Sequence, residues 1–256
     1  MTRASTSSAL AALALLALLA GCSPTAVDEG DDTDSPPDSE ESSASVIDSG
    51  YYPVAEGNEW VYTMTYPEPI GIVTETETMT AVTPDGDGGA EVTIARDFHY
   101  ENGSTADFSD EVTYVFHADG SIEVPYQSIP ASDSGAVVTI TSGTMVWPSD
   151  EEFEAGTVKS GDITATVESG GLSFDQVIHF EVSGAGEEDV SVPFGDVTAR
   201  KLVQSLVVSI ADYGVEVPIS ATSWLQADVG LVRTEIPDLV SGAPITVELV
   251  SFTPAG

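Results

Sequence analysis

Cysteine, basic side chains and long apolar runs are what this sequence has least of. Its 256 residues include one cysteine, Cys22. No intramolecular disulfide can form, so any folded domain stands on its core alone. Six Lys and Arg residues face 43 Asp and Glu, a formal charge of −37 at pH 7. A chain of that sign repels nucleic-acid phosphates and anionic headgroups, which excludes nucleic acid as a partner. The run Ala9–Ala20 contains only Ala and Leu. At about 1.5 Å per residue it makes roughly 18 Å of helix against about 30 Å of hydrocarbon, too short to span a bilayer.

Patterns that carry chemistry are missing as well. The three histidines, His99, His117 and His179, lack metal-ligand spacing and read as surface or cross-strand residues. No Gly-x-Ser-x-Gly elbow is present, and the Gly-rich pieces carry no Lys at a phosphate-loop position. Asp85-x-Asp87-Gly88 with Glu91 loosely resembles a calcium loop, but a third oxygen ligand and the twelve-residue spacing are absent, so a hairpin turn is expected. Glu187-Glu188-Asp189 would need a pocket to shift its acidities. The sequence therefore predicts a non-enzymatic protein with no catalytic residues, no metal and no cofactor.

What is present begins with an export signal. Arg3 and a short Ser/Thr stretch precede the Ala/Leu run, the layout of a signal peptide over residues 1–21. Leu19-Ala20-Gly21-Cys22 resembles the bacterial lipobox, in which a branched apolar residue and two small residues precede a cysteine. The small residues let the chain thread a peptidase cleft, and the thiol becomes the thioether to a diacylglyceryl group. Cleavage before Cys22, lipid on its sulfur and a position on the extracytoplasmic face of the cell membrane are expected. Two acyl chains, at about 0.8 kcal/mol per buried methylene, anchor durably where one does not.

Residues 22–50 read as a disordered acidic tether. Nine acidic residues and no basic one stand between Ser23 and Gly50. The few apolar residues there cannot offset the entropy of ordering. A flexible-coil reach near 30 Å is a lower bound, because like charges extend the chain.

Residues 51–256 read as one all-β domain. With the tether's acids and Arg3 set aside, 34 acidic and 5 basic residues remain: Arg96, Lys159, Arg200, Lys201 and Arg233 are the cations. The excess reads as a solvated surface, with a saline habitat or loose cation binding as alternatives. Alternation of period two recurs throughout. Trp60, Tyr62, Met64 and Tyr66 fall on one face of a strand, and Val92, Ile94, Arg96 and Phe98 line another. Tyr114 with Phe116, then Ile122, Val124 and Tyr126, follow, as do Val177–Val182, Ala199–Ile210, Val215–Trp224, Val229–Ile236 and Ile245–Phe252. Breaks are expected at Pro84–Gly89, Ala118–Gly120, Ser169–Gly171, Gly184–Gly186 and Asp212–Gly214. The fold class is a single antiparallel, strongly curved sheet, an open barrel or a sandwich of about 11–13 strands, with no long helix. The acidic stretch Ser149–Glu152 reads as a long loop, or as the boundary of a two-lobed arrangement split near Pro148 to Gly156.

Three segments carry a family resemblance. Tyr51-Tyr52-Pro53 with Gly57–Tyr62, Val192–Leu202 with its Val-Pro-x-Gly turn, and Trp224 with Asp228–Glu235 resemble signatures of uncharacterised secreted bacterial lipoproteins of actinobacterial type. That family is similar in turn to the curved-sheet lipoprotein carriers (LolA/LolB-like), whose concave face takes up acyl chains beneath a helix. The resemblance implies a curved sheet and a concave binding face.

Two functional expectations follow. In the first, the domain is a binding module, with Trp60, Tyr62, Phe98, Tyr114, Phe116 and Trp224 lining a concave face for a lipid or other hydrophobic ligand; Arg233, in a domain with few cations, is expected to pair with a carboxylate, or else to offer a handle for an anionic headgroup. In the second, those aromatics fill the core, and the protein is a structural or protein-interaction component of the envelope.

Overall fold

The computed structural model describes residues 51–103, 106–125, 137–169, 171–238 and 242–256. The signal segment, Cys22 and the tether lie outside the described residues, as do Tyr126 and Gly170 of the expected strand and turn.

The first half of the chain forms β1 (Glu59–Thr65), β2 (Ile72–Pro84), β3 (Ala90–Tyr100), β4 (Phe108–Phe116), β5 (Ile122–Val124), β6 (Val137–Ser142) and β7 (Met145–Trp147). A five-residue helix, α1 (Asp150–Glu154), follows. Then come β8 (Val158–Ser169), β9 (Leu172–Val192), β10 (Gly195–Ile210), β11 (Val215–Gln226), β12 (Gly230–Pro237) and β13 (Pro244–Thr253). The 13 strands make one sheet in the order β6-β8-β9-β10-β11-β12-β13-β1-β2-β3-β4-β5-β7. Two meanders thus meet where the last strand pairs with the first, Trp60 opposite Phe252. Of the three forms the alternation allows, the open, strongly curved sheet is the one adopted.

Curvature decides where the core lies. A twisted sheet this wide curls on itself, and its concave side becomes the interior. Edge strand β7 comes against β8 and β9 from the other half. The tip of the β9–β10 hairpin reaches across as well: the Phe194 amide donates to the Leu249 carbonyl at 2.9 Å. Inward positions are apolar along most strands, as in Trp60, Tyr62 and Met64 on β1 and Met79 and Val73 on β2, all buried.

Turn chemistry follows expectation in several places. The Asp85 carboxylate accepts from the amides of Asp87 (2.8 Å) and Gly89 (2.9 Å), which closes the β2–β3 hairpin and holds the Asp85 carboxyl below its ordinary pKa. At the β4–β5 hairpin the His117 amide donates to the Ser121 carbonyl at 2.9 Å, and Asp119 accepts from the Ser121 amide.

Two expectations are corrected. Gly184–Gly186 does not end a strand: β9 runs on through it for 21 residues, and the register shifts opposite Arg200 and Leu202. The glycines make a bulge instead of a turn. A Cβ on Gly184 would lie 2.6 Å from the Phe153 ring, so the bare backbone there is what lets α1 seat on the sheet.

The acidic stretch after Pro148 is neither a loop nor a boundary between lobes. Ser149 caps α1, accepting from the Glu152 amide while the Glu152 carboxylate accepts from the Ser149 amide. Ser-x-x-Glu is the capping-box signature, and Asp150, Glu151 and Glu152 suit the positive end of a helix. Replacing Ser149 by Ala is expected to cost about 1 kcal/mol of stability in urea unfolding.

Candidate functional site on the inner face

Directly opposed residues on antiparallel strands share a face, so the register defines inner rows. One row runs Phe252–Trp60–Glu77–Arg96–Asp110, and the next runs Leu249–Tyr62–Glu75–Phe98–Phe108. Three carboxyl side chains and a guanidinium therefore sit on the concave side, among rings. Glu75 and Glu77 are 6% and 9% exposed.

Arg96 is the only cation in those rows. Its Nε and Nη2 donate to the two Asp110 oxygens at 2.8 and 2.6 Å, a bidentate pair, and its Nη1 lies 3.9 Å from Glu75. Its guanidinium also stacks over the Phe98 ring, 5.3 Å from the centroid. Burial pushes the Glu75 and Glu77 carboxyls well above the usual carboxylate range, and their mutual repulsion pushes Glu75 further. Arg96 opposes that rise without cancelling it. Burial likewise raises the phenols of Tyr52, Tyr62, Tyr66 and Tyr114, so all four stay protonated at neutral pH.

Rings close the interior around this cluster. Trp60 donates its indole N–H to the Val229 carbonyl at 2.6 Å and stacks on Phe252, and Tyr62 donates to the Leu231 carbonyl at 3.2 Å. Tyr52 meets Trp60 and Phe116 edge-on, with centroids 6.0 and 6.3 Å away. Phe98 and Phe108 stack at 4.4 Å. Tyr66, Phe108 and Tyr114 are only partly buried and form the rim of this region.

The residues named from sequence divide between the two sides of the sheet. Trp60, Tyr62, Phe98, Tyr114 and Phe116 share the inner face. Trp224 does not: it opposes Lys201 and Arg233, and Arg233 opposes Glu248, which opposes the outward Thr63. There the indole is flanked by Lys201 Nζ and the Arg233 guanidinium, 5.3 and 5.4 Å from its ring, and its N–H donates to Glu188. Arg233 is paired with Glu235 and Glu248. Trp224 and Arg233 thus form an outer-face cation–π stack, apart from the concave aromatics.

Sequence reading missed Glu75 and Glu77. The run Thr74-Glu75-Thr76-Glu77-Thr78 is polar in both phases, so periodicity alone gives no inward side. Its flanks did carry a signal, because Val73 and Met79 are in phase with the two glutamates. Each histidine pairs with a carboxylate: His99 with Asp107 at 2.8 Å and His179 with Asp162 at 2.9 Å in exposed pairs, and His117 with Glu123 at 3.1 Å in a half-buried one. A shallow outer trough of about 300 Å³ runs over Thr74, Thr76, Asp97, His99 and Ser109. Among the described residues no group of three or more His, Cys, Asp or Glu is placed to hold a metal ion.

The family-resembling segments converge in space. Tyr51 and Phe153 pack edge-on, and the Arg200 guanidinium lies over both rings. Tyr52 fills the space left by Gly230, while Trp60 and Tyr62 bond to the backbone of Val229 and Leu231.

No protein-family model and no curated protein matches the chain. Among solved structures, a Bacteroides fragilis protein described as exported and as having a YmcC-like fold aligns with TM-score 0.57 at 14% identity, covering 80% of this chain and 99% of its own. A Parabacteroides distasonis protein described as a lipoprotein aligns with TM-score 0.60 at 15% identity, covering 79% of this chain and 97% of its own. At these identities the likeness is one of architecture: the chain has the fold of these two proteins.

Proposed function

We propose that the chain is a lipid-anchored envelope protein whose curved sheet works outside the cytoplasmic membrane as a non-enzymatic binding module. The observation that carries this reading is the placement of the sole cysteine, directly after a short Ala/Leu run and ahead of an acidic tether. The fold shared with proteins described as exported or as a lipoprotein supports it. So does the convergence of the three segments that resemble actinobacterial lipoproteins and, more distantly, the curved-sheet carriers. Lipid on Cys22 holds the domain at the membrane, and the charge of the domain and tether keeps it off the headgroups.

The ligand-facing part in this reading is the inner face where Tyr66, Phe108 and Tyr114 are partly open. An uncharged fluorescent acyl probe is expected to bind saturably, with a Kd on the order of micromolar, and to be displaced by unlabelled lipid. A second reading draws on the full burial of Trp60, Tyr62 and Phe116. If those rings are purely core, the acyl probe finds no site, and cross-linking in cells captures one repeatable protein partner instead. Replacing Cys22 by Ala is expected to release the protein from the membrane fraction in cell fractionation, and retention of that variant on membranes would count against the anchor.

A further inference from the structure

Gln176 on β9 carries a carboxamide that the fold buries and leaves unmet. The residue is 1% exposed, and neither its Nε2 nor its Oε1 has a hydrogen-bond partner among the described residues. It points inward: Phe174, Gln176 and Ile178 are buried, while Asp175 and Val177 between them are exposed. A glutamine side chain brings donors on its nitrogen and an acceptor oxygen. Buried polar groups are nearly always paired, so an amide open at both ends calls for a partner from outside the chain.

The surroundings narrow what that partner is. Ala165 stands directly opposite Gln176 on β8, with Ile163 and Val167 flanking it on the same face. Phe174 and Ile178 are the inward neighbours along β9, and Ile210 follows the Val177–Ser209 pair on β10. All of these are buried and apolar. A trapped water needs about two to four polar partners, and this wall offers it one side chain. An anion is disfavoured as well. Each Lys and Arg of the domain is held by a carboxylate elsewhere: Arg96 by Asp110, Lys159 by Glu152, Arg200 by Asp150, Lys201 by Glu188 and Arg233 by Glu235. A carboxylate beside Gln176 would meet no counter-charge. An uncharged group with a donor next to an acceptor suits both the amide and the wall.

We infer that Gln176 is the reading group of a binding site for an uncharged carboxamide on an aliphatic chain. Its Nε2 donates to the ligand carbonyl and its Oε1 accepts from the ligand N–H, over Ala165, the smallest side chain of the wall. The aliphatic chain runs out past Phe174. That ring meets Tyr213 edge-on at 5.9 Å, Tyr213 is 40% exposed, and Val138 and Val215 are only partly buried, so this end of the sheet is the way in. The site rests on the binding-module reading and adds the chemical class of ligand, on the β8–β10 half of the sheet.

The test is calorimetric titration of membrane-extracted protein in non-ionic detergent with hexanamide, the heat of mixing with protein-free detergent being subtracted. Methyl hexanoate keeps the carbonyl and lacks the donor, and sodium hexanoate carries the charge. Expected are saturable binding of hexanamide and at least about tenfold weaker binding of the other two, as the loss of a buried hydrogen bond implies. Gln176→Met keeps the length of the side chain and removes both polar ends. It is expected to bind hexanamide no better than the ester. The exposed Glu216→Gln is expected to leave every affinity unchanged, circular dichroism confirming that both variants fold. Should Gln176→Met not fold, the preference of the unmodified protein for amide over ester and acid decides alone. Absence of saturable heat would leave a buried water as the partner and overturn the site. An ester bound as tightly as the amide, or undiminished amide affinity in folded Gln176→Met, would overturn it too. A protein that binds the acyl probe but not hexanamide loses this inference and keeps the module reading; one that binds neither loses both.

Discussion

Replacing Glu75 and Glu77 together by Gln raises the stability of the domain at about pH 8 by about 2–4 kcal/mol and leaves it almost unchanged at about pH 5. Glutamine is close in shape to a protonated carboxyl, so the acid form loses nothing. Each native carboxyl binds its proton more tightly in the folded chain than in the unfolded one, because folding buries it. A group of that kind costs no stability below the ordinary carboxylate range, about 4–5. Stability then falls as pH rises through the raised values, since the unfolded chain ionises first. The variant removes that fall. Urea midpoints taken at intervals between about pH 5 and about pH 9 check it: the native curve declines, the variant curve is flatter, and the two converge at the acid end. Parallel curves would mean that the carboxyls are solvated and the inner face is open to water.

Replacing Gly230 by Ala costs about 3–5 kcal/mol. Two effects add there. Gly230 has φ +98°, a conformation in which a side chain is strained. A Cβ would also lie 2.5 Å from the Tyr52 ring. That ring cannot step aside, because it is fixed edge-on between Trp60 and Phe116. Gly214 is the control, with φ +60° and open space around it. Its Ala variant is expected to cost only the conformational part, about 1–2 kcal/mol. Comparable losses in the two variants would contradict the close packing of Tyr52 against β12.

Both effects trace to features that the sequence reveals unequally. The strands and most turns are legible because one side of the sheet is core, so alternation of Val, Ile and aromatic residues marks each strand with its face. The register is not legible. Trp224 alternates with its neighbours as Trp60 does, yet the two point to opposite sides, which only the pairing of Trp224 with Lys201 and Arg233 decides. Bulges add to the difficulty: register shifts at Val61/Tyr62, Arg200/Leu202 and Trp224/Leu225 reset the phase within single strands.

Glycine carries the least readable information. Gly184 and Gly186 stand in sequence like a turn, and at Gly230 the sequence points to a positive φ or close backbone packing without naming the neighbour. In the fold, Gly184 clears the ring of Phe153 and Gly230 clears that of Tyr52, both far away along the chain. A missing side chain that makes room for a distant ring leaves no local mark. The buried glutamates stand between these cases, since only Val73 and Met79, in phase on either side, mark their inward direction. The capping box at Ser149–Glu152 is the opposite case, a local pattern sufficient by itself to mark α1.

The intact mass of the protein extracted from membranes tests the envelope assignment most directly. Loss of residues 1–21 and an added diacylglyceryl mass on the new N-terminal Cys22 is the predicted result. An unmodified chain that still begins at Met1 and partitions into the cytosolic fraction would contradict it.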